Sequence, residues 1–459
     1  MCNTYIYQYI APGWAVKVLL NQMTRRQFIK QSLIISSLLG FFSFFQKESI
    51  SAISSLNEAV LKVKTALKRH LTYGLNKLGL PKSYIPLKEY RHPLPYPDRC
   101  YIFDLGALLI YTSLNPEKWA KDINPVIENI IKLQNTDGMW ARSYDDSGIA
   151  ESGFFTGPAC VLARGLLSWG KGKDSENSNA LNAAIKTADY LLQDFNKIQV
   201  SDFYVLKQET GKKTSPASPE ENARAAIFFM DPYNFFTKNQ KNEALHYLTA
   251  AENILLGICS QRKEIYPFGI FPNGEANWNM PDREGVEGQA VMLQALYLYS
   301  RVLDKEKTPQ SKLLLEKDLL LKDEILKWIE KTHASRNKSF TNINDVNAMI
   351  PLGFSKKISQ HGKAENHLWT EFTARMALTY LSVFNRKDLW RQLIEGMILL
   401  NQPSGFLPYA VGFNGYKEPP AWPVGPDQRM FNYPFGSLAA TVEFLFATEG
   451  NNSAFERFA

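Results

Sequence analysis

The sequence lacks acidic residues at its N-terminal end, because no Asp or Glu precedes Glu48 in a chain of 459 residues. The same stretch carries cations, which account for most of the formal net charge of +7. They are Lys17, Arg25, Arg26, Lys30 and Lys47. The rest of the chain is therefore nearly neutral. A nucleic-acid surface needs a clustered basic excess, so we predict no nucleic-acid partner.

Cysteine and histidine are also scarce. The four cysteines, Cys2, Cys100, Cys160 and Cys259, form no C-x-x-C pair, which argues against zinc and thioredoxin chemistry. Cys2 lies before the predicted start, and the odd number that remains argues against a disulfide framework. The six histidines are scattered, and neither G-x-S-x-G nor H-E-x-x-H occurs. We predict no metal site and no cofactor.

What the N-terminal end does contain is typical of an export signal. Thr24–Lys30 resembles the twin-arginine consensus, and the apolar run Ser32–Phe45 follows it. That run is shorter than the ~20 residues of a membrane-spanning helix and is typical of a signal core. We predict a twin-arginine signal region over residues 1–50, with the true start at Met23, and the twin-arginine translocase as a partner.

The cleavage site is the weakest part of this signal. No clean A-x-A sequence follows the apolar run, and the nearest small residues are in Ile50-Ser51-Ala52. Two outcomes therefore stay open. The protein is periplasmic or secreted if the signal is removed, and it is anchored to the inner membrane if the signal stays.

From residue 51 onward the pattern is helical, with almost no strand alternation. Some segments carry a single apolar stripe, as in Trp119–Ile131 and Leu315–Ile329, and bury one face. Others are apolar on nearly all sides and must be buried all round: Phe103–Leu114, Phe154–Trp169, Val286–Leu303 and Phe372–Phe384. The alternation predicts two concentric layers of about twelve helices. We therefore predict an all-α fold, an (α/α)6 toroid of helical hairpins, as a single domain over 51–459.

The connections between helices also resemble one another. Three loops mix Gly with aromatic residues or Pro: Asn135–Trp140, Tyr266–Pro272 and Pro403–Tyr409. Internal similarity of this kind marks a repeat architecture. The polar segment Lys207–Pro219 is predicted to be a surface loop, with a linker between two domains as the alternative.

Carboxylates stand at the starts of the buried helices, beside aromatic loops. Glycoside hydrolysis needs two carboxyl groups facing one sugar. We predict Asp104, Asp282, Glu287 and Glu371 as catalytic, with Glu287 the leading acid or base. The predicted substrate-binding residues are Trp140, Tyr144, Glu221, Trp278 and Trp369. The alternatives are helix capping and buried ion pairs for the acids, and core packing for the tryptophans.

Five pieces of the sequence resemble the six-hairpin glycosidase superfamily. They are Phe103-Asp104, Gln134–Gly138, Phe155–Pro158, Glu221-Asn222 and Glu287–Ala290, in this order along residues 100–300. The resemblance implies an (α/α)6 toroid that acts on or binds carbohydrate. The superfamily also contains lyases and epimerases, so the resemblance does not define the reaction.

The predicted function is an exported carbohydrate-active protein, a glycoside hydrolase that acts on an oligo- or polysaccharide through paired carboxylates. A non-catalytic glycan-binding toroid is one alternative. Gln134–Trp140 also resembles half of the QW motif of terpene cyclases, another (α/α) family. That second alternative lacks its aspartate-rich motif, because neither Asp145-Asp146 nor Asn342–Asp345 matches it.

The arginine pair gives the first test. Changing Arg25 and Arg26 together to Lys should leave the protein in the cytoplasm, because the motif is read as a pair of arginines. Cell fractionation and immunoblotting measure this, and Lys47→Arg, beyond the apolar run, serves as the control. Periplasmic recovery of the double variant at the wild-type level would contradict the prediction.

Overall fold

The computed structural model describes residues 55–87, 94, 96–170, 178–236, 241–260, 286–303, 309–341, 347–354, 367–401, 404–412, 422–424, 429–431 and 435–449. The chain divides into two units, Met1–Glu58 and Ala59–Ala459, and nearly all the described residues belong to the second. The predicted signal region lies outside the described residues. Within them, no helix is both long enough and apolar enough to cross a membrane.

The described residues form twelve helices that alternate between an outer and an inner layer. The outer helices are α1 (55–73), α3 (Pro116–Lys132), α5 (Ser178–Leu191), α7 (Lys241–Ser260), α9 (Pro309–Thr332) and α11 (Lys387–Leu400). The inner helices are α2 (Ile102–Thr112), α4 (Thr156–Gly170), α6 (Pro219–Phe236), α8 (Val286–Leu303), α10 (Thr370–Ser382) and α12 (Leu438–Thr448).

The inner helices close into a ring. Each packs against the next in chain order, from α2 to α12, and α12 packs back against α2. Outer helices cover this ring; α3, α5 and α7, for example, pack on α2, α4 and α6. The prediction of an all-α, (α/α)6 toroid is therefore confirmed.

The two layers follow from the hydrophobic pattern. Inner helix α2 buries every residue except Phe103, as expected for a helix that is apolar on nearly all sides. Outer helix α3 buries only one stripe of its surface: Trp119, Ile123, Val126, Ile127 and Ile130. Its opposite face carries lysines and acids, which stay in solvent.

Two glycines allow α2 and α4 to approach closely. A methyl group added at Gly106 would lie 2.6 Å from the backbone of Val161 and Leu162 in α4. At Gly165 it would lie 2.7 Å from Cβ of Leu109 in α2. These separations are too short for any side chain, so the two helices pack backbone against backbone.

The two ends of the ring differ in their connections. Links from an inner helix to the next outer helix are short, such as 113–115 and 383–386. Links from an outer to an inner helix are long, such as 133–155 and 333–369, and they contain every described strand. We call the end with the long links, where the inner helices begin, the mouth. Long loops on a rigid scaffold usually carry function.

The described strands of the mouth form small antiparallel sheets of two or three strands. They are β1 (Tyr84–Ile85), β2 (Cys100–Tyr101), β3 (Ser143–Asp145), β4 (Gly148–Glu151), β5 (Lys197–Val200), β6 (Phe203–Leu206), β7 (Ala334–Thr341), β8 (Asn347–Phe354), β9 (His367–Trp369), β10 (Ala410–Gly412), β11 (Trp422–Val424), β12 (Arg429–Phe431) and β13 (Gly436–Ser437). Most are too short to show an alternating pattern. Several also pair with strands far along the chain, as β1 does with β13. The sequence analysis missed them for both reasons.

The repeated loops share one backbone feature where they are described. Gly138 and Gly405 both have a positive φ, 97° and 88°, which L side chains rarely adopt. Nearby polar side chains fix each turn: Asn135 accepts the amide of Met139 at 2.8 Å, and Ser404 accepts that of Phe406 at 3.3 Å. The predicted loop Tyr266–Pro272 lies outside the described residues.

Gly106 gives a test of the inner ring. Gly106→Ala should destabilise the protein by about 1–3 kcal/mol, because the added methyl group collides with the backbone of α4. Gly288→Ala in α8 is the matched control, since the nearest described atom there is 3.5 Å away. Denaturant unfolding followed by circular dichroism measures both. Equal stability of the two variants would contradict the close packing of α2 on α4.

Candidate active site at the mouth of the ring

The inner helices begin side by side at the mouth. The amide of Gly157, in the first turn of α4, donates to the Glu221 carboxylate of α6 at 2.9 Å. At the other side, Ser83 joins the starts of α12 and α2: its carbonyl accepts the amide of Leu438 at 3.0 Å, and its hydroxyl accepts the amide of Tyr101 at 2.8 Å. Helix N-termini carry partial positive charge, so their convergence favours acidic groups.

Three inner helices carry, in the first turn, acids whose side chains are described. They are Asp104 in α2, Glu220 and Glu221 in α6, and Glu371 in α10. The sequence analysis predicted this placement for Asp104, Glu221 and Glu371. Their surroundings differ, and the difference separates their roles.

Asp104 is 9% exposed. Burial raises the pKa of its carboxyl to about 7; a hydrogen bond from Ser83 acts in the opposite direction, and the charge of Glu443 adds to the rise. The raised pKa means that Asp104 exchanges a proton near neutral pH. A carboxyl of this kind serves as a general acid or base.

Glu221 has a similar protonation behaviour. Burial raises the pKa of its carboxyl to about 7, and the charge of Glu220 adds to the rise. The amide of Gly157 and the charges of Arg142 and Arg224 act in the opposite direction. The sequence analysis placed Glu221 among the substrate-binding residues. In the structure it shares the chemical character of Asp104.

Glu371 lies in an ion-pair network instead. Arg375, one turn later in α10, contacts Glu371 at 3.5 Å and also pairs with Glu443 of α12 through Nη2. A second bond joins Arg375 Nε to Glu443 at 3.2 Å. All three side chains are buried, with Arg375 only 1% exposed. Removing one member of such a network leaves an uncompensated buried charge, so the network ties α10 to α12.

Trp140 and Tyr144 are core residues rather than sugar platforms, which corrects their predicted role. Trp140 is fully buried, and its indole donates to the carbonyl of Ile130 at 2.9 Å. Tyr144 is 1% exposed, and its hydroxyl bonds the amide of Ala141 at 3.0 Å and the carbonyl of Leu133 at 3.2 Å. A sugar platform needs an exposed ring face, and neither of these buried residues has one.

Trp369 belongs to a chain of aromatic rings along one side of the mouth. Its ring contacts Phe372 and Tyr409, with centroid distances of 6.0 and 6.1 Å. Tyr409 stacks on Phe435 at 5.5 Å, and Tyr84 joins Phe435 to Tyr101. The chain links the starts of α10, α12 and α2. Trp369 is 3% exposed, so its ring is covered by these aromatic neighbours.

Three predicted site residues are not described at the level of their side chains. Asp282 and Trp278 lie outside the described residues. Glu287 lies in the first turn of α8, and its side chain also falls outside them. Their roles stay predictions.

The structure adds residues that the sequence analysis did not select. Phe103, the one partly exposed residue of α2, lies under the guanidinium of Arg224 at 4.5 Å. Arg224 also pairs with Glu220 through Nε and Nη2, at 3.1 and 3.0 Å. The ion pair between Glu220 and Arg224 could have been predicted from the sequence, because the two residues are four apart on one helix. The contact between Phe103 and Arg224 brings α2 and α6 together, and no sequence spacing indicates it.

A small cavity lies on the axis of the ring beside Phe103. Its free volume is about 20 Å³, room for one or two water molecules. Five inner helices contribute to its lining: Phe103, Ile110, Val161, Arg164, Arg224, Ile227, Val291, Gln294 and Arg375. The arginines are paired, Arg164 with Asp231 at 2.7 Å. Among the described residues, the axis beside Phe103 is thus closely packed, with apolar and paired polar side chains.

The described part of the chain offers no metal centre. Within it, no three His, Cys, Asp or Glu side chains lie close enough together to hold an ion. The described cysteines, Cys100, Cys160 and Cys259, are buried as free thiols.

The fold is that of known (α/α)6 toroid proteins. D-mannose isomerase matches with a TM-score of 0.58 and 11% identity, over 86% of this chain and 96% of that chain. Cellobiose 2-epimerase from Spirochaeta thermophila matches with a TM-score of 0.56 and 11% identity, over 88% and 98%. A family 76 glycoside hydrolase from a bovine Bacteroides thetaiotaomicron strain matches with a TM-score of 0.54 and 12% identity, over 86% and 77%.

The (α/α)6 toroid fold that the resemblance implied is therefore confirmed. No protein-family model and no curated protein sequence gives a significant match to the chain. At 11–12% identity the similarity establishes the fold alone.

The two raised pKa values predict a pH dependence of stability. The ordinary values are 3.8 for Asp104 and 4.5 for Glu221, and the folded values are about 7. Between these limits the folded state binds more protons than the unfolded state, so stability falls as pH rises to about 7 and stays lower above. Each carboxyl contributes a slope of about 1.4 kcal/mol per pH unit in this window.

Replacing Asp104 by Asn or Glu221 by Gln should each remove one of the two contributions to this slope and stabilise the protein at pH 8 relative to the wild type. Urea unfolding between pH 4.5 and pH 8 measures it. Glu117→Gln, on the exposed face of α3, is the control and should follow the wild type. If all three variants run parallel to the wild type, the two carboxyls titrate normally and this description of the site is wrong.

Proposed function

We propose that the chain is a carbohydrate-active enzyme whose active site lies at the mouth of the toroid, with Asp104 and Glu221 as its proton-transfer pair. The observation that carries the proposal is that two carboxyls at this mouth, on different inner helices, are both held near neutral pKa by burial. An unpaired buried carboxylate is costly, and a proton-transfer role explains its presence.

The pair has the chemistry that sugar conversion needs. At neutral pH a carboxyl with a pKa near 7 is partly protonated, so one member donates a proton while the other accepts one. In glycoside hydrolysis the acid protonates the leaving oxygen, and the second carboxylate activates water or attacks the anomeric carbon. Phe103, partly exposed next to Asp104, offers an apolar ring surface for a sugar face.

The structural neighbours support a sugar as substrate. They comprise a glycoside hydrolase, a mannose isomerase and a cellobiose epimerase. Hydrolysis, isomerisation and epimerisation all move protons through positioned side chains. We favour hydrolysis of an oligo- or polysaccharide and keep isomerisation or epimerisation as the second candidate, because an acid and base near pH 7 serve either reaction.

Three further predictions from the sequence belong to this proposal. Export by the twin-arginine translocase, to the periplasm or beyond it, rests on Arg25 and Arg26. Asp282 and Glu287 stay proposed catalytic residues, and Trp278 a proposed sugar-binding residue. A glycan-binding toroid without turnover is the outcome if the carboxyls bind sugar but transfer no proton.

The proposal is tested by turnover. Purified protein is incubated with a panel of oligosaccharides, and the products are resolved by chromatography, which separates hydrolysis from isomerisation and epimerisation. Asp104→Asn and Glu221→Gln should each lower kcat by about 10²–10⁴-fold, because each removes one proton-transfer group. Glu117→Gln on α3 is the control and should keep full activity.

If the wild-type protein binds these sugars without converting them, the protein is a glycan-binding protein and not an enzyme acting on these sugars. Full activity in a correctly folded Glu221→Gln would assign proton transfer to another acid, and Glu287→Gln is the next variant to measure. If the wild type neither binds nor converts any carbohydrate, the proposed function is wrong.

A further inference from the structure

A cluster of arginines and aromatic rings lies on the side of the mouth formed by α2 and α4. It is built on the three-stranded sheet of β2, β3 and β4. Arg142, which precedes β3, is fixed by its backbone: its amide donates to the carbonyl of Gly153 at 3.0 Å, and its carbonyl accepts the amide of Ile102 at 3.2 Å. These two bonds tie Arg142 to the starts of α4 and α2.

The side chain of Arg142 has capacity to bind a ligand. It is 41% exposed, and its guanidinium lies over the ring of Phe155 at 4.9 Å. Its ionic partner among the described residues is Glu151, at 3.5 Å, and no described acceptor lies within hydrogen-bonding geometry of it. A guanidinium has five N–H donors in a rigid planar fork, so most of its donors remain for a ligand.

The carboxylate of Glu151 is mainly committed to another arginine. Arg99 Nη1 bonds Glu151 at 3.0 Å, and the Arg99 guanidinium lies over Tyr96 at 3.9 Å. Asp145 adds negative charge near Arg99: a hydrogen bond from the Ser147 side chain is the main cause that lowers the pKa of its carboxyl, and the charge of Arg99 lowers it further. Two arginines thus share the single buried carboxylate of Glu151, and Arg142 is the one with the weaker contact.

The cluster adjoins the proposed proton-transfer pair. Phe155, on which Arg142 stacks, is two residues before Gly157, whose amide binds Glu221 at 2.9 Å. The charge of Arg142 also acts on the pKa of Glu221. The polar loop before α6 forms the adjacent wall, since the amide of Thr156 donates to the carbonyl of Gln208 at 3.0 Å. A glycan group held at Arg142 would therefore lie beside Glu221.

We propose that Arg142, stacked on Phe155 beside Glu151, forms a subsite that binds a negatively charged group of the glycan, a carboxylate or a sulfate. The planar guanidinium binds such oxygens through two parallel hydrogen bonds, which a neutral hydroxyl cannot match. The Arg142 guanidinium lies over the Phe155 ring, and the Arg142 side chain stays 41% exposed for a ligand. The substrate class is thus an acidic sugar chain. This inference rests on the proposed carbohydrate function and narrows it.

The test compares matched ligands in a binding experiment. Calorimetry measures glucose- and glucuronate-terminated disaccharides of the same linkage, together with a sulfated disaccharide that lacks the carboxylate. The wild type should bind at least one acidic ligand about tenfold or more tightly than the neutral one, because hydrogen bonds to charged groups are stronger. The acidic ligand that binds more tightly than the neutral one identifies the charged group as a carboxylate or a sulfate.

Two variants locate this preference at Arg142. Arg142→Gln should abolish it, so that this variant binds the acidic and the neutral disaccharides with equal affinity. Arg142→Lys should keep only part of it, because the ammonium retains the charge and loses the fork. Arg391→Gln, exposed on the outer helix α11, removes the same charge away from the mouth and should behave as the wild type.

The two failures are distinguishable. If the wild type binds neutral and acidic disaccharides equally, or if Arg142→Gln keeps the preference, the acidic subsite is wrong and the proposed carbohydrate function stands. If the wild type binds none of these ligands and none of the oligosaccharides in the turnover panel, the carbohydrate function fails, and the subsite fails with it. Circular dichroism confirms that each variant is folded.

Discussion

The structure depends on one constraint: six helices that are apolar on nearly all sides must be covered on all sides. A single sheet or a flat layer of helices cannot cover them, whereas a closed ring inside an outer layer can. The contact of α12 with α2 completes that closure. Once the sides are covered, only the ends of the inner helices can meet a ligand, and the long links are all at one of those ends.

Closure also sets the electrostatics of the axis. Charged side chains that face it lose water on every side, so they need partners. Arg164 forms an ion pair with Asp231, and Arg375 forms ion pairs with Glu371 and Glu443. Asp104 and Glu221 each accept a hydrogen bond instead, and burial raises the pKa of both carboxyls. The same desolvation therefore favours buried ion pairs where a partner is present and raised carboxyl pKa values where none is.

The mouth has two unlike sides. From α10 through α12 to α2, aromatic rings pack in a continuous chain that includes Trp369, Tyr409 and Phe435. Between α2 and α6 the wall is polar, with Arg99, Arg142 and Glu151 on a small sheet. The fold alone supports several sugar reactions in its structural neighbours. We expect the specificity of this chain to lie on its polar side, where the exposed donors are.

The sequence by itself determined the two layers of helices, because the difference between one-sided and all-round hydrophobicity is local and periodic. It also placed Asp104, Glu221 and Glu371 at the starts of inner helices, since helix boundaries can be read from the same pattern. It did not separate their roles, which depend on partners far along the chain: Glu371 on Arg375 and Glu443, Glu221 on Gly157. The platform role of Trp140 and Tyr144 failed for the same reason, because only packing shows which aromatic ring is covered. The tertiary structure alone decided which carboxyls keep an ionic partner and which carry a raised pKa, because desolvation is set by the whole surroundings of a group and not by its neighbours in sequence.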